Sequence, residues 1–297
     1  MTDPERAPHF GRLESFALVT FAYLVALAVA LWTLMRAGGA HPLGALLVAD
    51  LVATVIVFAF SMRLDNSSVY DPYWSVAPPL IALYWIGHAT HASALRQAVV
   101  TTLVFAWGTR LTYNWVRGWT GLHHEDWRYV DLYARAKMPK WLVSLTGIHL
   151  FPTVQVFLGC LALVPALARG GAAFGFLDCV ALVITGGAVL IETVADEQLR
   201  RFVRDGRPGD IMTEGLWAYS RHPNYFGELS FWWGLFLFGF AAAPAYWWTV
   251  VGPLAMTAMF LLASIPMLDQ RSLGRRPGYA EHMKHVNALI PWFPSWW

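Results

Sequence analysis

Of 297 residues, 57% are hydrophobic and only 13% charged, with a net charge of +2 and a mean hydropathy of +0.45. Ordinary soluble domains carry about 25% charged residues, so the composition excludes a typical soluble globular chain and points to an integral membrane protein. No nucleic-acid partner and no obligate protein partner is expected; the expected surroundings are a lipid bilayer.

Apolar runs near 20 residues mark eight candidate spans, roughly 15–35, 43–62, 74–92, 96–116, 148–168, 175–197, 225–242 and 245–267. Prolines or polar residues intrude into 74–92 and 225–242, so seven or eight transmembrane helices are expected. The fold class is all-α, a polytopic helical bundle forming one membrane domain over 1–297. With both termini placed inside, only Arg36, Arg96 and Arg169 of the 21 Lys and Arg fall outside, and Arg110 lies within a span. Arg6 and Arg12 count among the inner charges. That asymmetry follows the positive-inside rule and predicts a multi-pass protein with both termini cytoplasmic. The first span is too long for the apolar core of a cleavable signal peptide, and no small-residue cleavage site follows it.

In chain order, the first polar cluster is Tyr70-Asp71-Pro72-Tyr73-Trp74-Ser75, before the third span. A tyrosine beside a carboxylate can protonate a developing enolate oxygen; Asp71 is equally suited to cap a helix with Pro72 at its first position. In the fourth span Arg110, Asn114 and Arg117 stack on one helical face at i, i+4 and i+7. Arg117 can snorkel to the cytoplasmic surface, whereas Arg110 lies about two turns deeper and suits a ligand or a buried partner. Glu192, Asp196 and Arg200 repeat the pattern at the inner end of the sixth span, as a site or as a salt-bridge ladder.

The densest polar run is Gly215-Leu-Trp-Ala-Tyr-Ser-Arg-His-Pro-Asn-Tyr-Phe-Gly-Glu228, directly ahead of an apolar helix. Pro223 suits the first turn, since no N–H is needed there, and Asn224 and Glu228 share a face one turn apart. Ionisable groups at that depth mark a functional site by default. The tail Asp269-Gln-Arg-Ser-Leu-Gly-Arg-Arg-Pro-Gly-Tyr-Ala-Glu-His282 is polar and amphipathic; Arg275 and Arg276 would suit a phosphate. Cys160 and Cys179 sit in apolar runs and are expected to be buried core residues. Histidines occur as His123-His124, His222 and the pairs His88/His91 and His282/His285, a spacing that assembles no metal site. No stretch outside the membrane exceeds about thirty residues, which excludes a soluble dinucleotide-binding domain built from repeated βαβ units. A nucleotide cofactor would have to be held by membrane helices and the inner loops.

The Gly215–Glu228 run resembles the signature of the steroid 5-alpha-reductase C-terminal domain, and within it the bacterial branch known as the domain of unknown function 1295 family. Glu192–Arg200, Arg271–Tyr279, Ala288-Leu-Ile-Pro291, Tyr113-Asn114-Trp115 and Arg117-Gly118-Trp119 extend the likeness. The resemblance implies a membrane-embedded reductase in which the cytoplasmic helix ends bind NADPH and a hydride passes to the β-carbon of an enone in a steroid-like or lipid substrate. It divides the chain into 1–147, N-terminal helices on the substrate side, and 148–297, a cofactor-binding half. By motif it implies that Asn224 and Glu228 contact the nicotinamide end and Asp196 and Arg200 the cofactor further out, with Tyr279 in the matching tail; Glu192, Arg221, His222 and Tyr225 are expected to bind the cofactor beside them. Arg110, Asn114 and Arg117 join that set, with Arg275 and Arg276 as phosphate partners. The steroid enzymes polarise the substrate carbonyl with a Glu–Tyr pair; counting back from Pro78, Asp71 takes the glutamate's place. The tyrosine's region reads Phe105-Ala-Trp107-Gly108, so Tyr73 or Tyr113 is the expected proton donor. A bacterial inner-membrane location follows from the same resemblance.

Isoprenylcysteine carboxyl methyltransferases share the Arg-His-Pro-x-Tyr-x-Gly core and bind S-adenosylmethionine, so methyl transfer is the alternative. The additional N-terminal helices and the arginine-rich inner face lean toward NADPH, which carries phosphates where S-adenosylmethionine has none. A non-enzymatic transporter or lipid-binding protein is a further alternative, but no paired inverted repeat is visible.

Overall fold

The computed structural model describes residues 10–294; Arg6 lies outside them. Every regular element among the described residues is helical. In chain order these are α1 (Arg12–Arg36), α2 (Pro42–Arg63), α3 (Tyr73–Gly87), α4 (Ala94–Gly118), α5 (Trp127–Arg135), α6 (Lys140–Arg169), α7 (Phe176–Asp205), α8 (Pro223–Ala242), α9 (Pro244–Leu273) and α10 (Tyr279–His285). Short 3-10 turns occupy Ser67–Tyr70 and Gly215–Ala218, and α6 contains π-helical turns at Ser144–Leu150 and Pro165–Arg169.

Five of these helices, α1, α2, α6, α7 and α9, are long and apolar enough to cross a membrane. The remaining three apolar runs also form helices, and each has a reason to fall short of that measure. With 15 residues, α3 spans about 22 Å, less than the roughly 30 Å of a hydrocarbon core. Arg96, Gln97, Arg110 and Arg117 interrupt α4. Asn224 and Glu228 sit near the start of α8, whose apolar part is rich in Trp and Gly. Local signals set the helix ends. Pro42 and Pro223 open α2 and α8, Gly11 N–H is capped by Glu14, and Gly39 turns the chain after α1 with φ +81°.

The chain divides into two compact units, Met1–Ile81 with Gly108–Phe157, and Ala82–Trp107 with Leu158–Trp297. In the first, small residues of α1 and α2 (Ala26, Ala53) with Val19 and Val57 surround Tyr70, Tyr73 and Trp119. Close helix approach through small side chains is how membrane bundles gain packing without a hydrophobic driving force. Arg12 donates to the carbonyls of Val116 and Trp119, tying the start of α1 to the end of α4.

In the second unit α7 lies along α8. Its buried face is Asp178, Ala181, Thr185, Ala188, Glu192 and Ala195, a stripe at helical spacing. Opposite it, a Cβ at Gly227 would collide with Glu192 Cγ and one at Gly234 with Thr185 Oγ1. These glycines, two turns apart, set the depth at which α8 lies on α7. At the other end of α7, Arg96 is fully buried. Its guanidinium grips Asp178 with both Nε (2.6 Å) and Nη2 (2.8 Å) and donates to the carbonyls of Ala172 and Ala173.

The two cysteines differ from the sequence expectation. Cys160 is buried, but Cys179 is exposed, because it lies beside the buried stripe of α7 rather than on it. In a membrane helix an apolar run marks contact with lipid as readily as contact with protein.

Candidate functional site

The Gly215–Glu228 run is set in place by α7. Gly215 adopts φ +60°, a conformation open to glycine, which lets the following turn lie against α7. There Gln198 Oε1 accepts from Leu216 N–H (3.0 Å) and Trp217 Nε1 donates to the Ala195 carbonyl (3.0 Å). Trp217, Met212 and Ala195 form a small core under this turn. Pro223 then opens α8, with His222 preceding it.

From that start, two side chains of α8 reach polar partners within the same unit. Asn224 Nδ2 lies 3.4 Å from Asp196 Oδ1, and its own Oδ1 accepts from Tyr225 N–H (3.1 Å). Glu228 is held from two sides: Trp107 Nε1 donates to one carboxylate oxygen at 3.0 Å and Trp232 Nε1 to the other at 2.8 Å. Glu192, 1% exposed, lies on the α7 face beside Gly227. One turn beyond Asp196, the Nε of half-buried Arg200 is enclosed and makes no hydrogen bond. The end of α7 and the start of α8 thus gather Glu192, Asp196, Arg200, Asn224 and Glu228.

Three residues assigned to the cofactor by resemblance have their polar atoms engaged elsewhere. Asp269, buried near the end of α9, accepts from Arg221 Nη2 (2.8 Å), from the Tyr279 hydroxyl (2.8 Å) and lies 3.0 Å from His222 Nε2. Arg221 uses Nη1 on the carbonyls of Val286 (2.7 Å) and Met283 (3.3 Å), and its backbone N–H on Asn287 O (2.9 Å). Ser220 Oγ donates to Leu289 O (2.8 Å), and Trp292 N–H to Tyr219 O (3.0 Å). The result is a clamp that fastens residues 283–292 along the motif. Desolvation, reinforced by the bond to Asp269, raises the Tyr279 phenol to about 12, so it serves as a donor throughout the neutral range. Tyr225 stacks on His222 (5.4 Å, 16°). Arg275 is exposed, and Arg276 donates to Ser272 Oγ (3.0 Å).

The first unit holds the substrate-side candidates, and their partners differ from those expected. Asp71 is paired with a tyrosine, but that tyrosine is Tyr129 of α5, whose hydroxyl donates to Asp71 Oδ1. Tyr73 stacks on Tyr70 (5.1 Å, 20°) and donates to Asp50 Oδ1 (2.7 Å). Tyr113 is 55% exposed, with Arg117 over its ring at 4.6 Å. Arg117 also donates to Asn114 Oδ1 (3.2 Å), in keeping with the shared face read from their spacing, on which half-buried Arg110 also lies.

Asp71 lies between predicted spans. Desolvation raises its carboxyl to about 7, against partial relief from the charge of Arg128 and the Tyr129 hydroxyl. Tyr129 is pushed well above the ordinary phenol range by desolvation and by Asp71. Arg128 is turned onto Asp126, with Nε at 2.9 Å and Nη2 at 3.0 Å. Burial acts to raise Asp126, but the charge and N–H groups of Arg128 outweigh it and hold that carboxyl below its usual range. The pair at Asp71 is therefore a neutral acid and a phenol up to about neutrality.

Sequence reasoning missed Tyr129, Asp269 and Trp107. Trp107 stands in the Phe105–Gly108 stretch where the resemblance expects a tyrosine, and it presents an indole N–H to Glu228 instead. No short-range spacing links these residues to their partners, which lie 58, 48 and 121 positions away for Tyr129–Asp71, Asp269–Arg221 and Trp107–Glu228.

Comparison with known proteins agrees with the signature. An uncharacterized protein of Schizosaccharomyces pombe, C594.04c, is 26% identical over 272 residues, covering 82% of this chain and 78% of the relative. No solved structure matches. Residues 57–286 match the family described as "Protein of unknown function (DUF1295)", and over that extent of match the chain belongs to it.

Proposed function

We propose that this membrane protein is an NADPH-dependent reductase of a carbon–carbon double bond conjugated to a carbonyl, acting on a hydrophobic, steroid-like or lipid molecule. The observation that carries the reading is the polar face at the end of α7 and the start of α8. An enclosed charged group in a membrane protein is a functional-site hypothesis by default, and Arg200 Nε is enclosed there with no hydrogen-bond partner. An unsatisfied guanidinium nitrogen suits a phosphate oxygen, and exposed Arg275 suits a second. NADPH has the phosphates for both.

When bound, the cofactor supplies a hydride. The chain supplies the rest: in the second unit Arg200 and Arg275 hold phosphate, and Asn224 and Glu228 receive the nicotinamide end; in the first unit Asp71 with Tyr129 is a neutral acid of the kind that protonates an enone oxygen. Arg221, His222 and Tyr279 act through the Asp269 clamp, by fixing the start of α8. Placement in a membrane with both termini cytoplasmic is part of the same proposal and is open to reporter fusions at each terminus.

A second reading is methyl transfer from S-adenosylmethionine. It is favoured by the three carboxylates Glu192, Asp196 and Glu228 on this face, since a sulfonium cation would be attracted to them. A binding screen on detergent-purified protein separates the two. The reductase reading expects NADPH to raise the melting temperature and S-adenosylmethionine to leave it unchanged; the reverse pattern overturns it. NADH in the same screen reads the contribution of the 2′-phosphate.

A further inference from the structure

Glu228 has an environment that its spacing in the sequence did not reveal. Both carboxylate oxygens receive an indole N–H, from Trp107 at 3.0 Å and from Trp232 at 2.8 Å. An indole nitrogen is a donor only, so both oxygens are held as acceptors. The donors themselves cannot swing away. Trp107 stacks on Phe231 at 4.7 Å with planes 9° apart and meets Trp232 edge-on at 5.2 Å. All three rings are essentially buried. A side chain whose rotamer is locked by packing passes that rigidity to whatever it bonds.

Two such donors, one on each oxygen, fix the orientation of this half-buried carboxylate. The chemistry of a nicotinamide gives that arrangement a use. The ring is neutral when reduced and cationic once its C4–H bond has broken with the electron pair leaving on the hydride. A fixed negative group nearby interacts more strongly with the second state than with the first, and only such differential stabilisation assists the transfer.

On the reading that Glu228 faces the nicotinamide end, we propose that Trp107 and Trp232 are positioning residues that hold the Glu228 carboxylate in one orientation, so that the site favours oxidised over reduced cofactor. Neither tryptophan needs to touch the cofactor. They act through the orientation of the carboxylate, and the signature of that role is a change in the ratio of two affinities, beyond any general loss of stability.

The test uses the full-length protein in detergent, with dissociation constants measured for NADPH and for NADP+. Trp107→Phe keeps a ring on Phe231 and removes the N–H. It should weaken NADP+ about tenfold more than NADPH, because a carboxylate free to turn loses its aim at the cationic ring. Glu228→Gln should shift the ratio in the same direction. Phe231→Leu disturbs the same packing without removing a donor and should leave the ratio unchanged. Equal weakening of both cofactors in Trp107→Phe, or a ratio shift of the same size in Phe231→Leu, overturns the inference and leaves the reductase reading standing. Wild-type protein that binds neither cofactor overturns the reductase reading itself. Should Trp107→Phe not purify folded, Trp232→Phe carries the same prediction on the other oxygen.

Discussion

Asp71 in the first unit and Asp269 in the second are each accompanied by an arginine and a tyrosine, yet they have different uses. At Asp269 the guanidinium of Arg221 lands on the carboxylate itself, at 2.8 Å, and Tyr279 and His222 complete the shell. At Asp71 the hydroxyl of Tyr129 arrives, but Arg128 is spent on Asp126. Asp71 feels that cation only through space, and its carboxyl is raised to about 7. Where the guanidinium is spent decides whether an Asp–Arg–Tyr group is a clamp or an acid. The first holds the tail along the motif; the second keeps a proton available near neutrality.

The largest expected effect tests the clamp. Asp269→Ala removes the acceptor of three donors and leaves Arg221 enclosed without its partner, which for a buried pair costs about 3–5 kcal/mol. Thermal unfolding in detergent should fall accordingly, and limited proteolysis should cut between residues 283 and 292 sooner than in the wild type. A loss below about 1 kcal/mol, the level of a surface pair, would show that the clamp does not hold the tail. Asp71→Ala, by contrast, should leave the tail protected.

The two tyrosines sharpen the contrast at intermediate size. Tyr279→Phe deletes a hydrogen bond to an ion-paired carboxylate, worth about 1.5–3 kcal/mol, whereas Tyr129→Phe at pH 6 deletes one between neutral groups, worth about 0.5–1.5 kcal/mol. On the reductase proposal, turnover should show the opposite ranking: Tyr129→Phe should lower kcat about a hundredfold, the scale of a lost general acid, with NADPH affinity unchanged. Equal stability losses with unchanged turnover in both variants would erase the distinction between clamp and acid.

What could be read in advance follows the range of the interactions. Pro223 at the start of α8, the face shared by Arg110, Asn114 and Arg117, and the polar end of α7 are all set by neighbours three or four residues away, and helical periodicity exposes them. The helical class follows from composition in the same way. Asp269 with Arg221 and Asp71 with Tyr129 are joined across 48 and 58 residues, and no local pattern marks such pairs. Tyr73 illustrates the limit, since it is two residues from Asp71 yet donates to Asp50 on α2. Arg96 is another case, because its pairing with Asp178 was hidden by the 82 residues between them.

The pH dependence of Asp71 is a smaller effect than the loss of the clamp, and its sign follows from proton counting. The unfolded chain ionises this carboxyl near 3.8, whereas the fold holds the proton until about 7. Between those values the native state binds more protons than the unfolded state, so stability falls as pH rises through the window. Well below 3.8 both states are protonated and the group contributes no difference; above pH 7 the native state carries a desolvated charge. Asp71→Asn removes that charge and should raise stability by about 1–2 kcal/mol at pH 8, after allowance for solvent screening, with the gain shrinking to a small remainder by pH 4. If the proposed reduction takes its proton from the neutral carboxyl, kcat/KM of the wild type should decline above pH 7. That decline should be absent from whatever activity Asp71→Asn retains. A gain in stability at pH 4 as large as that at pH 8 would mean that the substitution acts through packing, and Asp71 would then lose its claim to be the acid that Asp269 is not.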